Sequence, residues 1–333
     1  MSKTIKTFCL LLSLLFCQSA LSRDYIRMAG SSTVYPFART IAEEFGNGKI
    51  FKTPVVESIG TGGGIKLFCL GVGEQFIDFA NTSREMKPSE IKICNQNGVK
   101  NIAKIKIGYD GIIIANSTKA KHFNFTKEQI FLALANEVPI NGKLVKNPYQ
   151  KWSDIDKSLP NQAIVIYGPP PTSGTRDSFV ELVMEQACTH NKSISTTMKD
   201  EKNCRIIRSD GKFIEAGEND NLIVQKLKNN QDALGIFGYS YLEQNAGIIQ
   251  AAKIDGTTPT FENISSGKYS ISRPLFIYFK KEHLPLIKGM KEFIKTIVST
   301  NSIGEEGYLI DKGLIPSNKA EIKKIQKEIF SGL

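Results

Sequence analysis

The sequence is poor in the residues from which metal centres and hydrolytic triads are assembled. It has only three histidines, His122, His190 and His283, and they stand in polar or loop settings, read as solvated or capping. No spacing ties any of them to a serine. HExxH is missing and no CxxC pair exists, so the common zinc patterns are excluded and no metal site is expected. Ser173 is not in a GxSxG elbow, because Pro171 and Thr175 hold the outer positions. In GTGGGIK, from Gly60, Lys66 comes too late for a P-loop and Ile65 replaces the third glycine of GxGxxG. No nucleotide or other cofactor is expected. The chain also lacks repeats, low-complexity segments and a Pro/Ser linker, so any two domains are joined by strands rather than by a tail. Its most apolar run, Phe8 to Cys17, is far shorter than the ~20 residues that span a bilayer.

That run, preceded by Lys3 and Lys6, has the form of a secretory signal. Small residues at Ala20 and Ser22 set the cleavage, giving a leader of residues 1–22 and a mature start near Arg23. An acylated Cys17 is the weaker alternative, because Phe16 is bulky where a small residue is wanted. Export leaves Cys69, Cys94, Cys188 and Cys204, an even set that favours disulfides in an oxidising compartment. Of three connectivities, the local pairs Cys69 with Cys94 and Cys188 with Cys204 close the shortest loops, with buried free thiols as the alternative. The net charge of +10 loses the two leader lysines, leaving a mature chain of +8. Such a surface draws anions. Secretion, and basic residues spread rather than clustered with aromatics, argue against a nucleic-acid partner.

At 333 residues, with 41% apolar and 23% charged, the chain suits two globular domains. Strand-like runs begin at Tyr25, Pro54, Phe76, Ala103, Ala163, Leu234 (LGIFGYSYL) and Pro274. Helical patterns alternate with them, including PFARTIAEEF, GIKLFCLG, KEQIFLALANE, DSFVELVMEQA, NLIVQKL and LIKGMKEFIKTIV. This alternation predicts an α/β fold with parallel pairing under helices.

Four times a strand runs into a loop of Gly, Ser and Thr that opens a helix: GSSTVYPF at Gly30, GTGGGIK at Gly60, NTSREMKPSE at Asn81 and TSGTRDSF at Thr172. Helix starts offer free N–H donors and a partial positive charge, and ligands of open α/β sheets bind at the carboxyl ends of strands. Taken singly, each loop is more simply an N-cap worth ~1 kcal/mol. Four together predict a nest of donors for a small oxyanion.

SGTRDSF, GSSTVYPF, GTGGGIK, DFANTSRE, YDGI at Tyr109, GIFGYSYL, SRPLFIYF at Ser272 and EEGYLIDKGLIP resemble, in this order, the phosphate-binding proteins (PstS) of bacterial phosphate ABC importers. The resemblance implies a two-lobed type II periplasmic-binding-protein fold, each lobe a mixed, mostly parallel sheet flanked by helices, with phosphate in the interlobe cleft. It implies a monomeric, non-enzymatic receptor in the periplasm that hands phosphate to a membrane permease. Lobe I is expected at 23–109 plus 274–333 and lobe II at 110–273. Crossing strands near Gly108 to Ile114 and Ser272 to Phe276 would form the hinge, with Asp110 and Gly111 at the crossover.

By the same resemblance, the ligand contacts fall on Ser31, Ser32, Thr33 and Val34, then Thr61 and Gly62, then Ser83 with Arg84, then Ser173, Gly174, Thr175, Arg176 and Asp177. Arg176 is expected to supply the charge, with Asp177 holding it or aiding the helix start. Two departures stand out. Ser83 replaces the aspartate that accepts the phosphate proton in one branch of the family, and Pro169 replaces an arginine. Asp177, Asp110, Glu215 and Asp220 are the candidate acceptors, the last closing the segment GEND, Gly217 to Asp220, which reads as a helix cap. The alternatives are a receptor for sulfate or molybdate, and a secreted phosphatase or hydrolase built on Ser173.

Overall fold

The computed structural model describes residues 23–171, 173–198, 200–217 and 220–333. The expected leader, Thr172 and residues 218–219 of the GEND segment lie outside the described residues. Each of the seven predicted strand runs contains a strand, and two further strands of the main sheet, Phe213–Glu215 and Ile249–Ala251, arise outside those runs. Those of the main sheet are β1 (Arg27–Gly30), β2 (Val55–Ser58), β3 (Phe79–Thr82), β4 (Ile102–Ser117), β5 (Ile166–Gly168), β6 (Phe213–Glu215), β7 (Leu234–Gly238), β8 (Ile249–Ala251) and β9 (Ser272–Lys280). They lie in the order β2-β1-β3-β9-β4-β7-β5-β6, with β8 also on β4. Pairing is parallel at both ends, β2-β1-β3 and β7-β5-β6. In the centre it is antiparallel, β9 with β3 and β4, and β4 with β7 and β8. The sheet is therefore mixed, as a chain that crosses and returns between two halves requires.

β4 makes the crossing. It is 16 residues long; Ile102 to Gly111 pair with β9, and Ile112 to Ala115 pair with β7. Its apolar residues beyond the crossing join Phe131, Trp152, Phe179, Ile236 and Tyr269 in one core. On the near side Met28, Phe79, Ile105, Ile277 and Phe293 pack on one face of the sheet. Phe68, Cys94 and Tyr278 pack on the other. The β4–β9 register slips between Leu275 and Phe276, a bulge that adds local twist beside Gly108. Tyr109 also exchanges backbone bonds with Ile315, tying the C-terminal segment to the crossing at 2.7 and 3.0 Å.

One run departs from its predicted form. β7 ends at Gly238 and the following YSYL is helical, Tyr239–Gln244, where Tyr239 Oη donates to Glu243 one turn on at 2.8 Å. Local i,i+4 bonding overrides the strand preference of the two tyrosines. The cysteines pair Cys69–Cys94 and Cys188–Cys204, the two short loops. No helix among the described residues is long and apolar enough to cross a membrane.

A buried charge cluster lies beside Phe68, at the edge of the core that also holds Cys94 and Tyr278. His283 is fully buried rather than solvated, its Nδ1 2.6 Å from Asp78 and its Nε2 accepting from the Gly73 amide at 3.1 Å. Arg23 donates twice to the same carboxylate, at 2.7 and 2.9 Å. The short turn Lys281–His283 after β9 folds the ring inward, which hydropathy alone does not signal.

Lys280 is fully buried beside this cluster, donating to the Gly71 carbonyl at 2.6 Å over the rings of Phe68 and Phe76. Burial pulls its ammonium from 10.5 down to about 8, with Asp78 pulling the other way. Between those values the unfolded chain holds the extra proton, so stability from this group rises with pH across that window. Relative to Lys280→Met, the wild type is expected to gain about 3 kcal/mol in urea unfolding between pH 7.5 and 10.5. A constant difference across that range would refute the assignment.

Candidate functional site

The carboxyl ends of β1, β2 and β3 deliver the first three loops side by side, as Ser31 N–H donates to Asn81 O at 2.8 Å and Ile59 N–H to Gly30 O at 2.9 Å. Ser31 to Val34 lead into helix α1 (Tyr35–Asn47), whose first turn contains Pro36 where its missing N–H costs nothing. Gly60, with φ of 79°, takes a positive-φ conformation suited to glycine just before α2 (Thr61–Phe68). Ser83 lies before α3 (Pro88–Gln96); its N–H donates to Thr61 Oγ1 at 3.2 Å and the two hydroxyls are 3.0 Å apart. Ser173 caps α4 (Gly174–Phe179), accepting from the Thr175 N–H at 3.2 Å. The simple helix-start reading of TSGTRDSF therefore holds, and Ser173 also faces the cleft.

The first and fourth loops meet from opposite walls. Ser32 Oγ donates to the Asp177 carboxylate. Thr33 Oγ1 donates to Gly174 O at 3.3 Å and lies 3.1 Å from Ser178 Oγ. A Cβ at Gly174 would stand 2.8 Å from Ser32 O and 2.9 Å from Thr33 Cα, so only glycine admits this approach. Between the walls is a cleft of about 420 Å³ whose lining includes Ser32, Thr33, Asp110, Ser173, Gly174, Thr175 and Lys312.

Other expected residues stand outside that lining. Val34 is buried beneath the loop, its N–H 3.4 Å from Ser31 Oγ, and Gly62 is exposed. Thr61 and Ser83 hold each other, and Arg84 is committed to Glu90 through two bonds of 2.8 and 2.9 Å. Arg176 donates to the carbonyl of Pro169 at 3.1 Å and lies over Phe213, 4.4 Å from its centroid. Burial lowers its pKa against the pull of Glu215 and Asp177. Glu215 is exposed.

Three residues escaped the sequence reading. Arg273, 8% exposed, opens β9 and donates to Thr33 Oγ1 at 2.8 Å, to Ser178 Oγ at 2.6 Å and to the Glu181 carboxylate. Ser178 Oγ donates in turn to Asp110 at 2.8 Å. Glu181 sits in the π-helical turn Val180–Glu185 that continues α4. The signal was an arginine followed by proline at the head of an otherwise apolar strand, SRPLFIYF, but its direction could not be read.

Two lobes on crossing strands, with hydroxyl loops facing across a cleft, define a solute-binding protein of the periplasmic type. The chain's residues 18–301 match the PBP superfamily domain. A phosphate-binding protein PstS of Staphylococcus epidermidis is 31% identical over 301 residues, covering 88% of this chain and 79% of that protein. The protein SphX of a Synechocystis strain is 29% identical over 329 residues, 94% and 88% of the two chains. Among solved structures, a possible phosphate binding protein from Planctomyces limnophilus superposes with TM-score 0.75 at 27% identity, covering 93% and 98%. An ABC-type phosphate transport receptor from Vibrio cholerae shares the fold, with TM-score 0.61 at 19% identity, covering 88% and 100%. The chain belongs to the PBP superfamily and, within it, to the family of phosphate-binding proteins named PstS.

Proposed function

We propose that this chain is an exported receptor that captures inorganic phosphate in the cleft and delivers it to an ABC permease. The observation that carries the reading is the meeting of Ser32 and Thr33 with Gly174 and Asp177 across the cleft, which brings the hydroxyl-bearing first loop against the start of α4. Lobe I is assigned to 23–109 and 274–333, lobe II to 110–273. The ligand is held by Ser32, Thr33, Ser173, Gly174 and Thr175, with Ser31, Val34, Thr61, Gly62 and Ser83 shaping the loops. The receptor acts as a monomer in the periplasm after loss of the leader. Ser173 Oγ serves as a cap for α4, which favours binding over nucleophilic attack.

Calorimetry on the mature chain, stripped of carried-over ligand by unfolding and refolding, tests this. One equivalent of phosphate is expected to bind, with no turnover of a chromogenic phosphate ester. Binding of molybdate or sulfate without phosphate would reassign the ligand, and steady ester hydrolysis lost in Ser173→Ala would return the hydrolase reading.

A further inference from the structure

Asp110 and Arg273 are direct register partners on the two antiparallel crossing strands. Arg273 Nε lies 3.8 Å from Asp110 Oδ2 and is buried without a hydrogen-bond partner, while the Asp110 carboxylate lines the cleft. The guanidinium faces two carboxylates, Asp110 and Glu181, so the cluster has no positive charge to spare. Arg176 keeps its charge but stands outside the cleft lining, with Nη1 on the neutral Pro169 O and its guanidinium over Phe213; Asp177 adds a further carboxylate at Ser32, and Lys312 is an exposed, solvent-screened cation. An oxyanion without a proton would meet Asp110 as charge against charge in a desolvated place. One that carries a proton can donate it.

We propose that Asp110, held by Arg273 and Ser178 at the strand crossing, is the group that accepts the proton of the bound anion and rejects anions lacking one. The proposal rests on the phosphate reading above and assigns the check to the hinge rather than to the third loop, where Ser83 stands. Burial raises the Asp110 carboxyl above its ordinary value, while Arg273 and Ser178 oppose the rise and favour the ionised form, which is the one that accepts. The pairing lies within the β4–β9 ladder itself, so it persists when the walls separate. The hydroxyl loops assemble only on closure, whereas the selective element is in place when the anion arrives.

Titrations at pH 7.5 with phosphate, arsenate, sulfate and monofluorophosphate decide the matter. The first two carry a proton there and the last two are dianions without one. The wild type is expected to prefer the proton-bearing pair by about 10,000-fold, the scale set when a site built to bond a ligand hydroxyl meets an analogue lacking it. In Asp110→Asn that preference is expected to fall to about 100-fold or less. Full preference retained in Asp110→Asn overturns the assignment. If that variant does not fold, the wild type decides: monofluorophosphate bound as tightly as phosphate overturns it too. Failure of the wild type to bind phosphate at all would instead remove the receptor reading beneath it.

Discussion

A single methyl group at Gly174 is expected to abolish tight anion binding while leaving the ligand-free protein as stable as before. All three atoms nearest to the added Cβ are backbone of the opposite loop, Ser32 O at 2.8 Å, Thr33 Cα at 2.9 Å and Ser32 C at 3.0 Å. Backbone cannot swing aside as a long side chain would, so the two walls must stay apart. The position itself accepts alanine, since Gly174 begins α4 and an alanine there loses less entropy on folding. Calorimetry on Gly174→Ala should show phosphate affinity reduced at least about 100-fold, or about 3 kcal/mol. Its thermal midpoint without ligand should be unchanged or slightly higher. Wild-type affinity in the variant would mean that the loops do not close on the ligand in this geometry.

Removing the guanidinium of Arg273 should be the most damaging side-chain change. Arg273→Met leaves Asp110 and Glu181 without their cation and strips a donor from Thr33 and Ser178. Breaking a buried ion pair from one side costs about 3–5 kcal/mol. The Asp110 carboxyl, already raised by burial, should rise further without Arg273. A carboxyl raised in the folded state binds more protons there than in the unfolded chain, so stability falls as pH climbs through that window. The variant should therefore melt closer to the wild type at pH 5 than at pH 8, and phosphate affinity should fall by about 1,000-fold or more. A merely structural arginine would give the same deficit at both pH values. Arg273→Lys, which keeps the charge but not the fork, should recover stability more than affinity.

Most of the fold was legible because its strands are written as apolar runs interrupted by Gly, Ser and Thr, and the four loops fall at strand ends. The two disulfides followed from loop length. What sequence could not convey was direction. Arg84 and Arg176 lie within the motif loops, yet one turns to Glu90 and the other to Pro169 and Phe213. Arg273 lies far along the chain from Asp110, and only the antiparallel register of β4 and β9 makes them partners. His283 likewise reads as a loop residue until the turn after β9 carries it into the Asp78 cluster.

The placement of β9 between β3 and β4 sets a timetable for the molecule. A chain delivered from its amino end presents β1, β2 and β3 early, but β3 cannot reach β4 through the sheet until β9 has arrived. The middle of the chain has no such wait: β7 and β8 find β4 as soon as they emerge, and the Cys188–Cys204 loop is already complete. Contacts between distant parts of a sequence are the slow ones to form. The half of the protein that contains the first residues is thus the last to settle, and for that interval its unpaired strand edge depends on the remainder of the chain to cover it.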